Sequence, residues 1–298
     1  MDHSDFNEKI RALVEESLGE DVRVLVSNVE KNNGQFRDAL TITAGENRIS
    51  PTIYLDCFRK RFENGTEISD IAQEIISVYE NRVVKDDLDI SEFRDFEKAK
   101  EHIIFKIINH EKNEELLKDV PHLDYLDLAI VFCYFFSEGE LENASILIRN
   151  AHMEAWGTDT EALMKFAEYN TNRLLGCTVN NILDYLKKIY DMNDILPMDA
   201  DEEKIPLYVL SNRPGLFGAG CILYNGLLKD LSEKMDSDLY VFPSSIHEVI
   251  IMPYEGTEEA MHFQSLVKEI NRTELSVEDI LSDSVYYYSR SKDCLQKV

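Results

Sequence analysis

Basic residues are scarce in this chain, and so are the residues that usually advertise a chemistry. Its 298 residues include 31 Lys and Arg against 57 Asp and Glu, a net charge of −26. A surface that acidic repels phosphate backbones and anionic lipid, which argues against a direct nucleic-acid binder and against a membrane-surface binder. The five cysteines (57, 133, 177, 221 and 294) are odd in number and scattered, with no Cys-x-x-Cys pair. Neither a disulfide framework nor a zinc ribbon is supported. The longest apolar run, Leu128–Phe136, falls far short of the ~20 residues a membrane helix needs. The opening residues MDHSDFNEKIRALVEE lack a basic stretch followed by an apolar one, so they do not read as a signal peptide. The expectation is a cytoplasmic protein with no membrane contact. Gly-Lys-Ser/Thr, His-Glu-x-x-His and Gly-x-Ser-x-Gly are all missing, which removes the motif evidence for a P-loop, a zincin and an α/β-hydrolase.

What is present is a chain with a real core, since hydrophobic residues make up 44% of it. The densest apolar stretch runs from Ile205 to Pro253. Leu207–Leu210 reads as a short strand that stops at the turn residues Ser211-Asn212-Arg213-Pro214-Gly215. Ala219–Leu223 reads as a second strand. Tyr224, Leu227, Leu228, Leu231 and Met235 then recur at helical spacing. Leu239–Phe242 and Ile246–Met252 flank Pro243-Ser244-Ser245, a predicted tight hairpin. Connections this short predict mainly antiparallel pairing, with the helix across one face.

Earlier in the chain, Ser4–Leu18 predicts a helix and Val22–Val29 with Phe36–Thr43 a hairpin turning at Asn32-Asn33-Gly34. A strand near Ile49–Tyr54 leads to a short helix at Leu55–Phe62. Ile68, Ile71, Ala72, Ile75, Ile76 and Tyr79 hold the helical period without a miss. Arg82–Lys100 is charged and reads as a connection. Ile103–Ile108, Asp127–Phe136 and Ser145–Ile148 read as strands, with a polar helix at Glu111–Lys118. Asn150–Trp156 is helical, and Thr158–Glu161 has the pattern of a capping box before the helix of Leu163, Phe166, Ala167, Asn170 and Leu174. Asp184–Met192 is a further helix, and Pro197–Lys204 an acidic linker. Ala260–Ile270 predicts a helix, Ser276–Asp279 one helical turn, and Ser284–Ser289 a closing strand. The fold expected is α+β, with mainly antiparallel sheets, helices packed on one face and two intimately associated halves. Those halves are residues 1–125 and 126–298, the second centred on 205–253, with one domain as the alternative.

His247-Glu248 is the most tempting pair, because a histidine beside a carboxylate suits acid–base work. In a single strand, however, neighbouring side chains point to opposite faces and cannot converge. A structural histidine is the preferred reading, ahead of binding or catalysis. The other histidines (3, 102, 110, 122, 152 and 262) form no metal spacing on their own, which leaves a cluster in three dimensions open, and neither a metal nor a cofactor is assigned. The glycines of Gly215–Gly220 are read as permitting turns or close packing rather than cradling phosphate. Asp56 is read as a helix cap before a ligand, and Trp156 as an apolar anchor before a ligand platform. Asn170 falls on an apolar helix face, so its amide must find a backbone or a ligand. Arg213 is read as a surface turn before an anion site. Cys133 and Cys221 are read as core hydrophobes within strands.

Several segments resemble an uncharacterised, domain-of-unknown-function family of gut anaerobes. They are Val29–Gly34, Ile49–Asp56, Ala155-Trp156-Gly157 with its capped helix, Ser237–Leu239 with Phe242–Val249, and Leu281–Tyr286. Together they span nearly the full length. Leu163–Tyr288 is more loosely similar to a second uncharacterised family of bacterial cytosolic proteins, which has a basic-acidic pair where this chain has His247-Glu248. Neither resemblance implies an activity. Function therefore stays unknown from the sequence, with three readings open. The first is a non-catalytic acidic binding or regulatory protein that docks a basic protein partner. The second is a small-molecule enzyme, a hydrolase among the options, with a pocket near His247, Arg213 and Tyr286. The third is a nucleic-acid mimic.

Overall fold

A computed structural model describes residues 3–19, 21–44, 52–83, 91–137, 143–190, 206–254 and 260–298. The chain divides into two compact units, residues 1–94 and 95–298. Among the described residues no helix is long and apolar enough to cross a membrane.

The first unit comprises α1 (His3–Leu18), β1 (Val22–Glu30), β2 (Phe36–Ala44), β3 (Thr52–Tyr54), α2 (Asp56–Glu63), α3 (Ile68–Val83) and the single turn α4 (Ser91–Arg94). Its strands pair antiparallel in the order β1-β2-β3. Val24 sits opposite Ile42 and Val26 opposite Leu40, so alternation collects the apolar residues on one face. Phe6, Ile10 and Val14 of α1 and the Ile71–Tyr79 stripe of α3 bury that face. The opposite face is wet, and Leu25 on it is 58% exposed. The hairpin turns through Asn33 at φ 60°, a left-handed conformation that asparagine tolerates. Asp56 corrects the capping expectation. Leu55 occupies the cap position of α2, while Asp56 is its first residue and pairs with Arg37 at 3.7 Å.

The second unit begins with α5 (Phe96–Ala99), β4 (Ile103–Asn109), α6 (Glu114–Leu117), β5 (His122–Tyr125), β6 (Leu128–Phe135) and β7 (Ser145–Leu147). It continues with α7 (Asn150–Trp156), α8 (Thr160–Leu175), β8 (Thr178–Asn181), α9 (Ile182–Tyr190), β9 (Tyr208–Ser211) and α10 (Leu227–Lys234). It ends with β10 (Leu239–Phe242), β11 (Val249–Pro253), α11 (Ala260–Thr273), β12 (Tyr286–Ser289) and β13 (Cys294–Lys297). Two antiparallel sheets result. One has the order β13-β12-β10-β11-β9-β8; in the other β6 pairs with β4 on one side and with β5 and β7 on the other. The class is α+β with antiparallel sheets, as the short connections imply.

Both sheets contribute to one core. Ile103, Phe105 and Ile107 of β4 and Leu128, Ile130 and Phe132 of β6 join Leu239, Val241, Val249 and Ile251, with Leu228 and Leu231 of α10. The other face of β6 is buried too, against Leu116, Leu117 and Val120, which explains why its sequence is a continuous apolar run rather than an alternating one. Tyr240 and Phe242 point away from the main core, toward Phe263 and Val267 of α11.

Several expectations are corrected here. Gly218–Leu223 is a 3-10 helix, not a strand, so Cys221 is buried in a helical turn. Phe242 pairs with Ile250 and β11 begins at Val249, which makes 243–248 a wide loop rather than a tight hairpin. His247 and Glu248 therefore lie in that loop, outside the strand that begins at Val249. Asp159, not Thr158, caps α8, its carboxylate accepting from the Ala162 amide at 2.8 Å. Strands β5, β8 and β13 have no counterpart in the sequence pattern; each is four residues long and mixed in composition. The Tyr286–Ser289 strand consequently lies inside the sheet instead of closing it. Residues 125 and 126 lie in the turn between the paired strands β5 and β6, and the chain divides into its two compact units between residues 94 and 95. The middle of the Arg82–Lys100 connection, the start of the Ile49 strand and the linker at 197–204 lie outside the described residues.

Candidate functional site

His247 is held by the loop 243–248 over the Gly218 turn. Its Nδ1 accepts from the Phe217 amide at 3.4 Å, and its Nε2 lies 3.3 Å from an Asp279 carboxylate oxygen. The Phe217 ring stacks on the imidazole at 6.2 Å, with 16° between planes. Both ring nitrogens thus face partners in the same unit, and neither is directed at a hydroxyl or thiol nucleophile. The backbone is fixed as well: the His247 amide donates to Ser245 Oγ at 3.0 Å, and its carbonyl accepts from Ser211 Oγ at 2.7 Å. Glu248 is half-buried beside it, and burial pushes its carboxyl up, against the pull of His247. Gly218 shows why this turn is rich in glycine. A Cβ there would stand 2.4 Å from the His247 carbonyl oxygen and 2.7 Å from the Asn212 nitrogen. The glycine provides close approach of two backbones.

Tyr286 serves a different part of the unit. Fully buried, it donates its hydroxyl to Asp127, which also accepts from Ser282 Oγ and Ser284 Oγ, both at 2.8 Å. Burial drives the Asp127 carboxyl up, but the three hydroxyls and Lys297 outweigh it and hold it below the usual carboxylate range. The same burial, with the carboxylate beside it, pushes the Tyr286 phenol up. The cluster ties β12 to the turn before β6.

The remaining candidates are apart from one another. Arg213 is exposed in the turn after β9, where its amide donates to Leu175 and its side chain crosses Gly176. Trp156 is partly buried at the end of α7, 5.6 Å from Phe96 and 6.1 Å from His152. Asn170 finds backbone partners: its Nδ2 donates to the Lys100 and Ile103 carbonyls at 2.8 and 3.1 Å, and its Oδ1 accepts from Arg173 at 3.0 Å. With Thr171, whose Oγ1 accepts from the Phe105 amide at 3.0 Å, it satisfies the outer edge of β4. Asn170→Ala is expected to cost about 1–3 kcal/mol by stranding those carbonyls. A urea titration that leaves the midpoint unchanged would refute this role.

An open cleft of about 670 Å³ lies away from all of these, lined by Lys229, Ser232, Glu233, Asp236, Ser237, Asp238, Tyr254, Arg290 and Ser291. It is built where α10 ends and where β11 and β12 leave the sheet. Tyr287 donates its hydroxyl to Asp238, and the Arg290 amide donates to the same carboxylate at 2.9 Å, holding that carboxyl below its ordinary value. The Arg290 guanidinium pairs with Asp236 at 2.9 Å. Sequence reasoning missed this cleft. Asp236-Ser237-Asp238 reads as a helix terminator, and nothing local joins it to Arg290, fifty-odd residues on.

A family model for a family of unknown function, DUF5688, matches residues 3–290. The chain belongs to that family. Searches of curated proteins and of solved structures give no match. The DUF5688 match spans both units and, in the cleft, every lining residue except Ser291. In this family member the cleft presents three carboxylates and two cations around hydroxyls. Such a lining suits a polar or cationic group held by hydrogen bonds and ion pairs.

Proposed function

We propose that this DUF5688 member is a bacterial cytoplasmic binding protein without catalytic activity, which docks a basic protein partner through its acidic surface. In this reading the cleft of Glu233, Asp236 and Asp238 receives a Lys or Arg side chain of that partner. The observation that carries it is the placement of three carboxylates at an open cleft in a chain of net charge −26. A field of that sign speeds encounter with cations and selects against anions. The engagement of both His247 nitrogens within the unit favours a binding role over acid–base catalysis.

The test is fluorescence anisotropy with a synthetic Lys/Arg-rich peptide and an acidic peptide of the same length. Binding of the basic peptide should weaken steeply as salt rises. Glu233 is exposed, so Glu233→Gln leaves the fold untouched and should weaken binding roughly 1.5- to fivefold, the range of an exposed ion pair. Equal binding of the acidic peptide, or affinity indifferent to salt, would defeat the proposal.

A further inference from the structure

A group of side chains that linear spacing gives no reason to connect lies at the rim of the smaller sheet of the second unit. His122 and Asp124 alternate on β5, an edge strand, so they share a face. His110 follows β4, and its amide continues the ladder by donating to the Asp127 carbonyl at 3.1 Å. Ile108 and Asp124 both sit opposite Ala129 of β6, and His110, two residues beyond Ile108, falls on that same face. Ala129 has too small a side chain to separate them. One ligand atom from each of His110, His122 and Asp124 therefore lies within 4.8 Å of the other two.

From this geometry we infer a binding site for a divalent transition-metal ion of the zinc type, held by His110, His122 and Asp124. The donor set is two imidazoles and a carboxylate, the composition such ions select over magnesium or calcium. His110 Nε2 stands 3.2 Å from Asp124 Oδ1, close to the ~3.4 Å edge of a tetrahedron with metal–ligand bonds of about 2.0–2.1 Å. An ion seated there takes the place of the hydrogen between them, with the imidazole proton carried on Nδ1.

A second observation, independent of the clustering, points the same way. His122 Nδ1 is 3.0 Å from the Val120 carbonyl oxygen, so that nitrogen carries the proton and Nε2 is left as the free donor. A backbone carbonyl fixing the far nitrogen is the outer-shell arrangement that orients metal-bound histidines. The two rings stand 6.2 Å apart at 67°, and the floor beneath them is the apolar patch of Ile108, Ala129 and Val131. Solvent reaches the site, with the Asp124 side chain 75% exposed, so water or a partner's side chain can complete the coordination.

Isothermal titration of the full chain with zinc chloride, in a non-chelating buffer, tests the inference. One saturable site is expected. His110→Asn and His122→Asn should each weaken it by more than about tenfold, since loss of an outer partner alone causes that much. His262→Asn, on the exposed surface of α11, should leave it unchanged. Asp124→Asn serves where a histidine variant unfolds, because that side chain is mostly solvated and carries no core packing. Cobalt substitution gives the second readout: the spectrum should show d–d bands without thiolate-to-metal charge transfer. A thiolate band, undiminished binding in His122→Asn, or no saturation below about 1 mM zinc overturns the inference.

Discussion

Replacing Asp127 by alanine is expected to lower the stability of the second unit by about 3–5 kcal/mol. The substitution removes one acceptor and strands the hydroxyls of Tyr286, Ser282 and Ser284 that converge on it. Tyr286 and Ser282 are fully buried, so water cannot replace the lost partner at little cost. Tyr286→Phe removes a single bond to the same carboxylate and should cost about 1.5–3 kcal/mol. Trp156 is the sole tryptophan and packs on Phe96 inside this unit, so its fluorescence during urea unfolding reports on the unit directly. A loss under about 1 kcal/mol in Asp127→Ala, near the median for single substitutions, would show the cluster to be incidental.

The same carboxylate sets a dependence on pH. Its folded value lies below the ordinary 3.8, so the folded state binds the proton less readily than the unfolded chain does. Its contribution is therefore complete above the unfolded value and disappears as pH falls through the lower folded one. Wild type and Asp127→Ala should differ at neutral pH and converge in strong acid. A gap that stays constant down to acid unfolding would contradict the assignment.

Gly218→Ala is the second large effect, at about 3 kcal/mol, the upper end of what overpacking costs. The added methyl would meet Ser211 Oγ at 2.2 Å, the His247 carbonyl oxygen at 2.4 Å and the Asn212 nitrogen at 2.7 Å. Two of those atoms are backbone, so Ser211→Ala in the same chain should not restore stability. Gly220→Ala makes the contrast. There the nearest atom is the Phe105 ring edge at 3.2 Å, which can yield, and the cost should be below about 1 kcal/mol. Thermal unfolding of the three variants decides the matter. Full rescue by Ser211→Ala would mean that the hydroxyl, not the backbone, limits the approach.

Much of the local structure was legible in advance. In the α3 stripe Ile71, Ala72, Ile75, Ile76 and Tyr79 are buried, and Ile68 at its start is partly buried against the same core. The continuous apolar run of β6 is buried on both faces. Asn170 has the backbone partners its place on an apolar face demanded. The failures come from tertiary contacts. Ala219–Leu223 is a short, mainly apolar run of strand length, yet Gly218 and Gly220 let it coil tightly against the His247 loop and Phe105, and it becomes a 3-10 helix. Short strands such as β5 and β13 carry too few apolar residues to announce themselves; their partners make them strands.

Sequence alone determined the elements with strong periodicity, the acidity and the exclusion of several motif-borne chemistries. Each depends only on composition or on neighbours a few positions apart. Tertiary structure decided which side chains meet. Asp127 lies 159 residues from Tyr286, and His110 and His122 reach one another only because β4 and β5 flank the same strand. Such meetings follow from the pairing of distant strands, which is set by the free energy of the whole assembled core and leaves no periodic trace in the chain.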